Sequence, residues 1–262
     1  MNGTSTWARI WAVARHDLRI LRRDPAFLII FTVTPIAFMA FTEQTFGSAL
    51  ALELDDPGLT GASVVVPGAT VLFSWFLVGN LGFGIFREHG WGTWERLRAS
   101  PLSTGELILA KSVAPVLSLA IQLVVLLGGG ALLFGLEIRG TITAYLAVAA
   151  SLAIMEVALG FLLLSVCRSV IQLNALSNAG AMLLGGLGGA VAPVELLPGW
   201  AQAIAPATPT YWAVQGFQDV TIEGADLGGV GVPIAVLRGF SAVFLAVSAL
   251  RFRVEETKTA WA

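Results

Sequence analysis

The sequence is poor in the residues that build disulfides and metal sites. Its 262 residues include one cysteine, Cys167, and two histidines, His16 and His89, which are far apart along the chain. A single cysteine excludes an intrachain disulfide and a cysteine metal cluster, and two distant histidines argue against a histidine metal site. We therefore expect no metal site in this chain.

Charged residues are scarce as well. They form 12% of the chain, whereas soluble domains contain about 25%. Hydrophobic residues reach 56%, and chains of this composition are integral membrane proteins. The net charge of −2 gives no sign of a nucleic-acid partner, and we expect none.

Six long apolar runs take up most of the chain. Each is long enough to cross a bilayer, because a transmembrane helix needs about 20 residues. They cover residues 26–46, 64–86, 107–136, 142–167, 173–193 and 230–250. The predicted fold is therefore an all-α integral membrane protein with six transmembrane helices, in a single domain that covers residues 1–262.

Residues 7–24 precede these runs and carry a basic amphipathic pattern. One stripe of the predicted helix collects the apolar residues Trp7, Ile10, Trp11, Ala14, Leu18 and Leu21, and the other side is rich in arginine. A helix of this kind lies in the membrane interface. A cleaved signal peptide is the alternative, but charges run through the segment and no small-residue cleavage site follows it.

The uneven distribution of Lys and Arg predicts the orientation in the membrane. The N-terminal segment, the loops after the second and fourth runs and the C-terminal tail hold nearly all of these residues. The loops on the other side, 47–63, 137–141 and 194–229, hold only Arg139. Both termini and the 87–104 loop are therefore predicted to be cytoplasmic, and the 194–229 segment extracellular.

The 87–104 loop is longer than a simple connection between two spans requires. Gly90 and Gly92 permit sharp turns, and the residues that follow can form about two helical turns before Pro101 ends them. Ser103 and Glu106 have the spacing of a capping box at the start of the third span. We predict a short helix along the cytoplasmic face, which either docks on a partner or rests on lipid headgroups.

Two stretches resemble the motifs of ABC-2 type permeases, the membrane subunits of ABC exporters. The first is "FREHGWGTWERLRASPLSTGELILAK", which begins at residue 86. The second, at residues 185–217, contains the family's proline and aromatic pattern as Pro193, Leu197, Pro198, Trp200, Pro209 and Tyr211. The resemblance covers nearly the whole chain and implies an ABCG-like, type V fold with a cytoplasmic coupling helix between the second and third spans.

The resemblance also implies roles for individual residues. The coupling helix would sit on a separate ATPase subunit, through Glu88, Gly92, Thr93, Glu95, Arg96, Leu97, Arg98 and Pro101. The second and fifth spans of two protomers would line the central pathway, which makes Asn80, Phe83, Asn174, Asn178 and Met182 candidate pathway residues. Two further polar residues inside spans, Glu156 and Arg238, either pair with each other or lie near the ends of their helices.

The implied function is that of a permease subunit in an ATP-driven exporter, which moves a hydrophobic or amphiphilic cargo (a drug, lipid or glycan) outward by alternating access. Two copies of an ABC ATPase would bind ATP and Mg²⁺, and a second permease copy would complete a homodimer or a related heterodimer. The chain itself would be neither an enzyme nor a cofactor-binding protein. Its expected location is a bacterial plasma membrane.

Other functions are weaker interpretations of the same residues. Residues 105–112, "GELILAKS", approximate a nucleotide-binding P-loop, but they lie in a capped helix whose amides are not available to phosphate. An ion-coupled secondary transporter usually has inverted repeats, which we do not see. An intramembrane enzyme needs a nucleophile–base pair or metal ligands within the spans. A structural membrane subunit would have no need of a coupling helix.

Overall fold

The computed structural model describes residues 6–54, 60–100 and 102–251, except for the side chains of residues 46–54 and of Asn80, His89, Trp94, Arg98 and Thr104. The roles predicted for Pro101 and for the side chains of Asn80 and Arg98 therefore lie outside the described residues. All secondary-structure elements of the described part are helices. They are α1 (Thr6–Arg23), α2 (Ala26–Leu54), α3 (Ala62–Gly90), α4 (Trp94–Arg98), α5 (Thr104–Phe134), α6 (Ile142–Val166), α7 (Val170–Leu187), α8 (Gly199–Ile204), α9 (Pro209–Thr221) and α10 (Gly231–Arg251).

Six of these helices are long and apolar enough to cross a membrane: α2, α3, α5, α6, α7 and α10. This confirms the predicted all-α membrane fold. The helix α7 ends at Leu187, well before the predicted end of its run at residue 193. The reason is local, because Gly188 leaves the helical conformation and Gly189 has a φ of +83°, which favours glycine.

Polar side chains fix the beginnings of several helices. At the start of α5, the Oγ of Ser103 accepts a hydrogen bond from the backbone N of Glu106 at 3.3 Å, and the Oε2 of Glu106 accepts one from the N of Ser103 at 2.6 Å. This is the capping box that the sequence suggests. Thr141 and Ser169 cap α6 and α7 with a single bond each, in which the side-chain oxygen accepts from a backbone N of the first turn. Each such cap contributes about 1 kcal/mol.

The helix α3 lies at the centre of the protomer. It packs against α2, α5, α6, α7 and α9, and small residues allow its closest approaches. A Cβ on Gly79 would lie 2.9 Å from the Oγ of Ser177, and a Cβ on Gly82 would lie 2.9 Å from a methyl carbon of Leu173, both on α7. The helix α10 packs mainly along α6, and α2 is largely exposed to the surroundings of the bundle.

The basic helix α1 lies along α5 at the end of the bundle that holds the 87–104 loop. Its buried side contains Ile10, Ala14 and Asp17, so only part of the predicted apolar stripe packs on protein. Trp7 and Trp11 are 72% and 57% exposed. Tryptophans in this position suit the headgroup region of a bilayer.

The segment predicted to be extracellular packs on the opposite end of the bundle. It contains α8, α9 and two short 3-10 turns, at Val194–Leu196 and Ala205–Ala207. The buried face of α9 packs on α3, α6 and α10, and Phe217 meets Tyr145 of α6 edge to face, with ring centroids 5.2 Å apart. The helix α9 therefore covers the outer ends of the central helices.

Candidate functional site

The end of the bundle that is predicted to be cytoplasmic is built around one buried lysine. The Nζ of Lys111, in α5, donates to the Oδ1 of Asp17 in α1 at 3.0 Å and to the Oε1 of Glu88 in α3 at 2.6 Å. All three side chains are buried, so each charge depends on the others for compensation. Three helices that are distant in sequence are thereby fixed to one another.

Glu88 also holds the segment between α3 and α4. Its Oε2 accepts a hydrogen bond from the Oγ1 of Thr93, and its backbone carbonyl accepts one from the N of Thr93 at 3.0 Å. Gly92, immediately before, has a φ of +67°, which favours glycine and turns the chain back toward Glu88. We call Asp17, Glu88, Thr93 and Lys111 the Lys111 cluster. It connects α1, α3 and α5 to the residue that precedes α4.

The short helix α4 has an outward side and an anchored side. Glu95 and Arg96 are exposed. Leu97 is half-buried and packs against an apolar cluster that includes Phe86 of α3 and Leu107 of α5. The Oγ of Ser100 donates to the carbonyl of Leu97 at 2.6 Å and closes the end of the helix. A protein that bound the outward side would therefore contact an element with its own support from the bundle.

A second link joins α1 to the start of α5. The Nη2 of Arg9 lies 3.4 Å from the Oε1 of Glu106, the glutamate of the capping box. Both side chains are partly exposed, and ion pairs of this kind contribute about 0–1 kcal/mol. The Lys111 cluster is the stronger of the two connections, because its charges are buried.

Three of the candidate pathway residues lie together. Asn174, Asn178 and Met182 recur at intervals of four residues on α7 and are exposed, whereas the opposite face of α7 packs on α3. Phe83 is separate from them, because it lines a cavity between α1, α3 and α5. Amide side chains on the outer face of a transmembrane helix are costly in lipid, so this face is expected to meet water or another protein.

The residues of the extracellular motif divide into a packed part and an exposed part. Pro193 and Pro209 are buried, Leu197 and Tyr211 are half-buried, and Pro198 and Trp200 are exposed. Pro209 begins α9, and the Oγ1 of Thr208 accepts a hydrogen bond from the N of Tyr211 at 3.3 Å. The motif therefore sets the start of α9 against the end of α7.

The polar residues inside the spans do not form the ion pair considered from the sequence. Glu156 is fully buried, and its Oε1 accepts a hydrogen bond from the Oγ of Ser74 in α3 at 2.6 Å. Arg238 is exposed on α10, and no ion pair joins it to Glu156 within the part of the chain that the structure describes. Glu156 thus holds α6 to α3, deep in the bundle.

The sequence analysis did not predict that Lys111 pairs with Asp17 and Glu88. Asp17 shares the protein-facing side of α1 with Ile10 and Ala14, and it is the only acidic residue within α1. Lys111 lies inside an otherwise apolar run. An acid on the apolar side of an interfacial helix and a lysine inside a span each need a partner of opposite charge. These two unpaired charges were the signal in the sequence that could have indicated the ion pair.

Comparison with known proteins agrees with the motifs and the fold. Residues 8–222 match the family model described as ABC-2 type transporter. The chain belongs to the ABC-2 type transporter family. Two similar proteins are the inner membrane transport permease YhhJ of Escherichia coli (strain K12) and of Shigella flexneri, each 25% identical over 202 residues. The match covers 76% of this chain and 52% of each relative, so the chain spans about half the length of these relatives.

Proposed function

We propose that this chain is the permease subunit of an ATP-driven ABC exporter in a bacterial inner membrane, and that α4 receives the movement of a separate ATPase. The observation that carries this proposal is the double attachment of Glu88. One oxygen of its carboxylate binds Lys111 of α5, and the other binds Thr93 of the coupling loop. A displacement of the loop would therefore be felt by α1, α3 and α5 together.

The cost of leaving buried charges unpaired favours movement of the Lys111 cluster and α4 as one unit. Breaking a buried ion pair by loss of one partner costs about 3–5 kcal/mol. Coupling free energies between sites in proteins are typically about 1–3 kcal/mol. Separation of the Lys111 cluster would leave buried charges uncompensated, so we expect the cluster to stay closed while an ATPase moves α4, with Leu97 seated in its apolar cluster. Glu95 and Arg96, on the outward side, would provide the contact with the partner.

ATP and Mg²⁺ belong on the partner in this proposal. The stretch that approximates a P-loop is the start of α5, where backbone amides serve the helix and its capping box. Two ATPase copies and a second permease copy, identical or related, would complete the transporter. The exposed face of α7 with Asn174, Asn178 and Met182 would then border a pathway between the two permeases.

A pathway bordered by amide and apolar side chains suits an amphiphilic cargo. Amphiphilic drugs, lipids and lipid-linked glycans all combine a polar part with an apolar part. The polar part would meet the asparagines of α7, and the apolar part would meet the surrounding apolar residues. We infer outward transport from the resemblance of the coupling loop to that of ABC exporters.

The test is co-expression of the chain with a cognate ATPase, purification of the complex, and measurement of ATPase activity in liposomes. We compare the wild type with Glu95→Ala/Leu97→Ala, which removes an outward charge and the apolar anchor of α4. The matched control is Glu195→Ala/Leu196→Ala, which makes the same two changes at exposed positions at the opposite end of the bundle. We expect the first variant to lose ATPase assembly or stimulation, and the control to behave as the wild type.

The opposite result would favour another function. If the chain binds no ATPase and moves solute down an ion gradient in liposomes, it is an ion-coupled secondary transporter. If it binds an ATPase equally well in both double variants and moves no solute, it is a structural subunit and α4 is not a coupling element.

A further inference from the structure

A cavity of about 240 Å³ opens between α1, α3, α5 and the start of α2. Its lining has a charged part and an apolar part. Charged residues from three helices and from the α1–α2 junction contribute to it, namely Asp17, Asp24, Arg87 and Lys111. The apolar part includes Phe27 and Phe83, each 38% exposed. A charged side next to an apolar side that faces the bilayer suits an amphiphile.

The charges of this cavity are not balanced by the protein alone. Lys111 already serves two carboxylates, Asp17 and Glu88, so that group carries a net negative charge. Asp24 adds another, and it is exposed, with one oxygen accepting a long hydrogen bond of 3.4 Å from the N of Ala26. Arg87 offsets one of these two negative charges, so the surroundings of the cavity carry one net negative charge and favour a cationic group on a ligand.

Arg87 presents the opposite requirement. Its Nε is buried and has no hydrogen-bond partner among the described residues, while its guanidinium lies over the ring of Trp91, 5.0 Å from the centroid. A buried donor without an acceptor costs about 1–3 kcal/mol. The guanidinium is also well suited to phosphate, through its planar set of donors. The lining of the cavity thus offers the guanidinium of Arg87 to an anion and the carboxylate of Asp24 to a cation.

The position of the cavity points to the source of such a ligand. It lies between α5 and the helix α1, whose tryptophans are exposed, at the end of the bundle that is predicted to face the cytoplasm. Its volume is below the ~300–1,000 Å³ of sites that enclose a whole small molecule. It is large enough for a headgroup, since it equals the space of roughly eight waters.

We propose that this cavity binds a phosphatidylethanolamine of the cytoplasmic leaflet, with the phosphate on Arg87, the primary ammonium at Asp24 and the acyl chains along Phe27 and Phe83. A primary ammonium donates hydrogen bonds to a carboxylate, as a lysine does, whereas the quaternary ammonium of phosphatidylcholine cannot. Phosphatidylglycerol has no cation at all. Because the cavity shares Asp17 and Lys111 with the Lys111 cluster, the lipid would also hold α1 in place.

The experiment is native mass spectrometry of the full chain in detergent, with phosphatidylethanolamine, phosphatidylcholine and phosphatidylglycerol of identical acyl chains at equal concentration. We expect the first lipid to be favoured about tenfold, as one lost charge-assisted hydrogen bond implies. Arg87→Gln should abolish the excess binding. Asp24→Asn, at an exposed position, should remove the preference over phosphatidylcholine. Ala114→Leu should block binding by filling the cavity while it leaves every charge in place.

The matched control is Arg23→Gln, which removes an exposed arginine of α1 outside the cavity lining, and it should bind as the wild type does. Equal binding of the three lipids would overturn the proposal, and so would a preference for phosphatidylglycerol or unchanged binding in both Arg87→Gln and Ala114→Leu. Lipid binding here requires no ATPase partner, so its failure would leave the proposed transport function untouched.

Discussion

Thr93 is joined to Glu88 through both its hydroxyl and its backbone amide. The Oγ1 of Thr93 donates to the carboxylate of Glu88 and, at 3.3 Å, to its carbonyl, and the N of Thr93 donates to the same carbonyl at 3.0 Å. The backbone bond closes the turn, which any residue could do at this position. Among these bonds, only the one to the carboxylate connects Thr93 to the ion pairs of Lys111, so the two functions of Thr93 are separable by mutation.

Thr93→Val should separate them. It keeps the shape of the side chain and the backbone bond but removes the hydroxyl, so we expect a loss of about 1 kcal/mol in stability. We expect permease-stimulated ATPase activity in liposomes to fall about fivefold or more, the lower range of coupling effects. Thr93→Ser, which retains the hydroxyl, should restore most of it. Full activity in the valine variant would show that the loop transmits force without Glu88.

Lys111→Met should destabilise the protein strongly. It leaves Asp17 and Glu88 buried without a cation, which costs about 3–5 kcal/mol. The triple variant Asp17→Asn/Glu88→Gln/Lys111→Met removes all three charges, and we expect it to recover most of the thermal stability but not the ATPase stimulation. Thermal unfolding in detergent measures the first effect. A triple variant no more stable than Lys111→Met would show that the three charges do not act as one group.

The sequence was sufficient for the class of fold, and the reason is the bilayer itself. Runs of more than about 20 apolar residues have few alternatives to a membrane-spanning helix. The capping box at Ser103 was also predictable, because its two partners are three residues apart and need nothing from the rest of the chain. Features that depend on short sequence separation or on length alone could therefore be predicted from the sequence.

Contacts between helices that are distant in sequence could not be predicted in this way. Asp17 and Lys111 are 94 residues apart, and the rotation of a helix that is apolar on all sides is not fixed by its own sequence. The direction of Phe83 was not predictable either: it lines the cavity between α1, α3 and α5, and its role in a pathway stays a prediction. Packing at glycine contacts such as Gly79 with Ser177 sets these rotations.

Gly188→Ala should loosen the contact between α7 and α9. The added Cβ would lie 2.1 Å from the Oγ1 of Thr210 and 2.6 Å from the N of Tyr211, so the start of α9 must move, at a cost of about 1–3 kcal/mol. Gly186→Ala is the control, since a Cβ there meets nothing within 4 Å. We expect thermal unfolding to occur earlier only in the first variant. Equal midpoints would show that α9 does not rest on Gly188.

The stability contributed by Asp219 should depend on pH. Burial in α9 raises the pKa of this carboxyl, although a hydrogen bond of 2.7 Å from the Nε2 of Gln215 opposes the shift. A raised pKa in the folded state favours the protonated form, so its stabilising contribution is complete below the ordinary pKa of about 3.9 and is lost as the pH rises through the folded value.

Asp219→Asn keeps an acceptor for Gln215 but cannot ionise. We therefore expect it to unfold at a higher temperature than the wild type near pH 7 and at nearly the same temperature near pH 4. Taking the difference between the two proteins at each pH removes the contributions of all other titrating groups, because they are common to both. A difference that does not change with pH, or that is larger in acid, would mean that the folded protein holds Asp219 ionised as readily as the unfolded chain does.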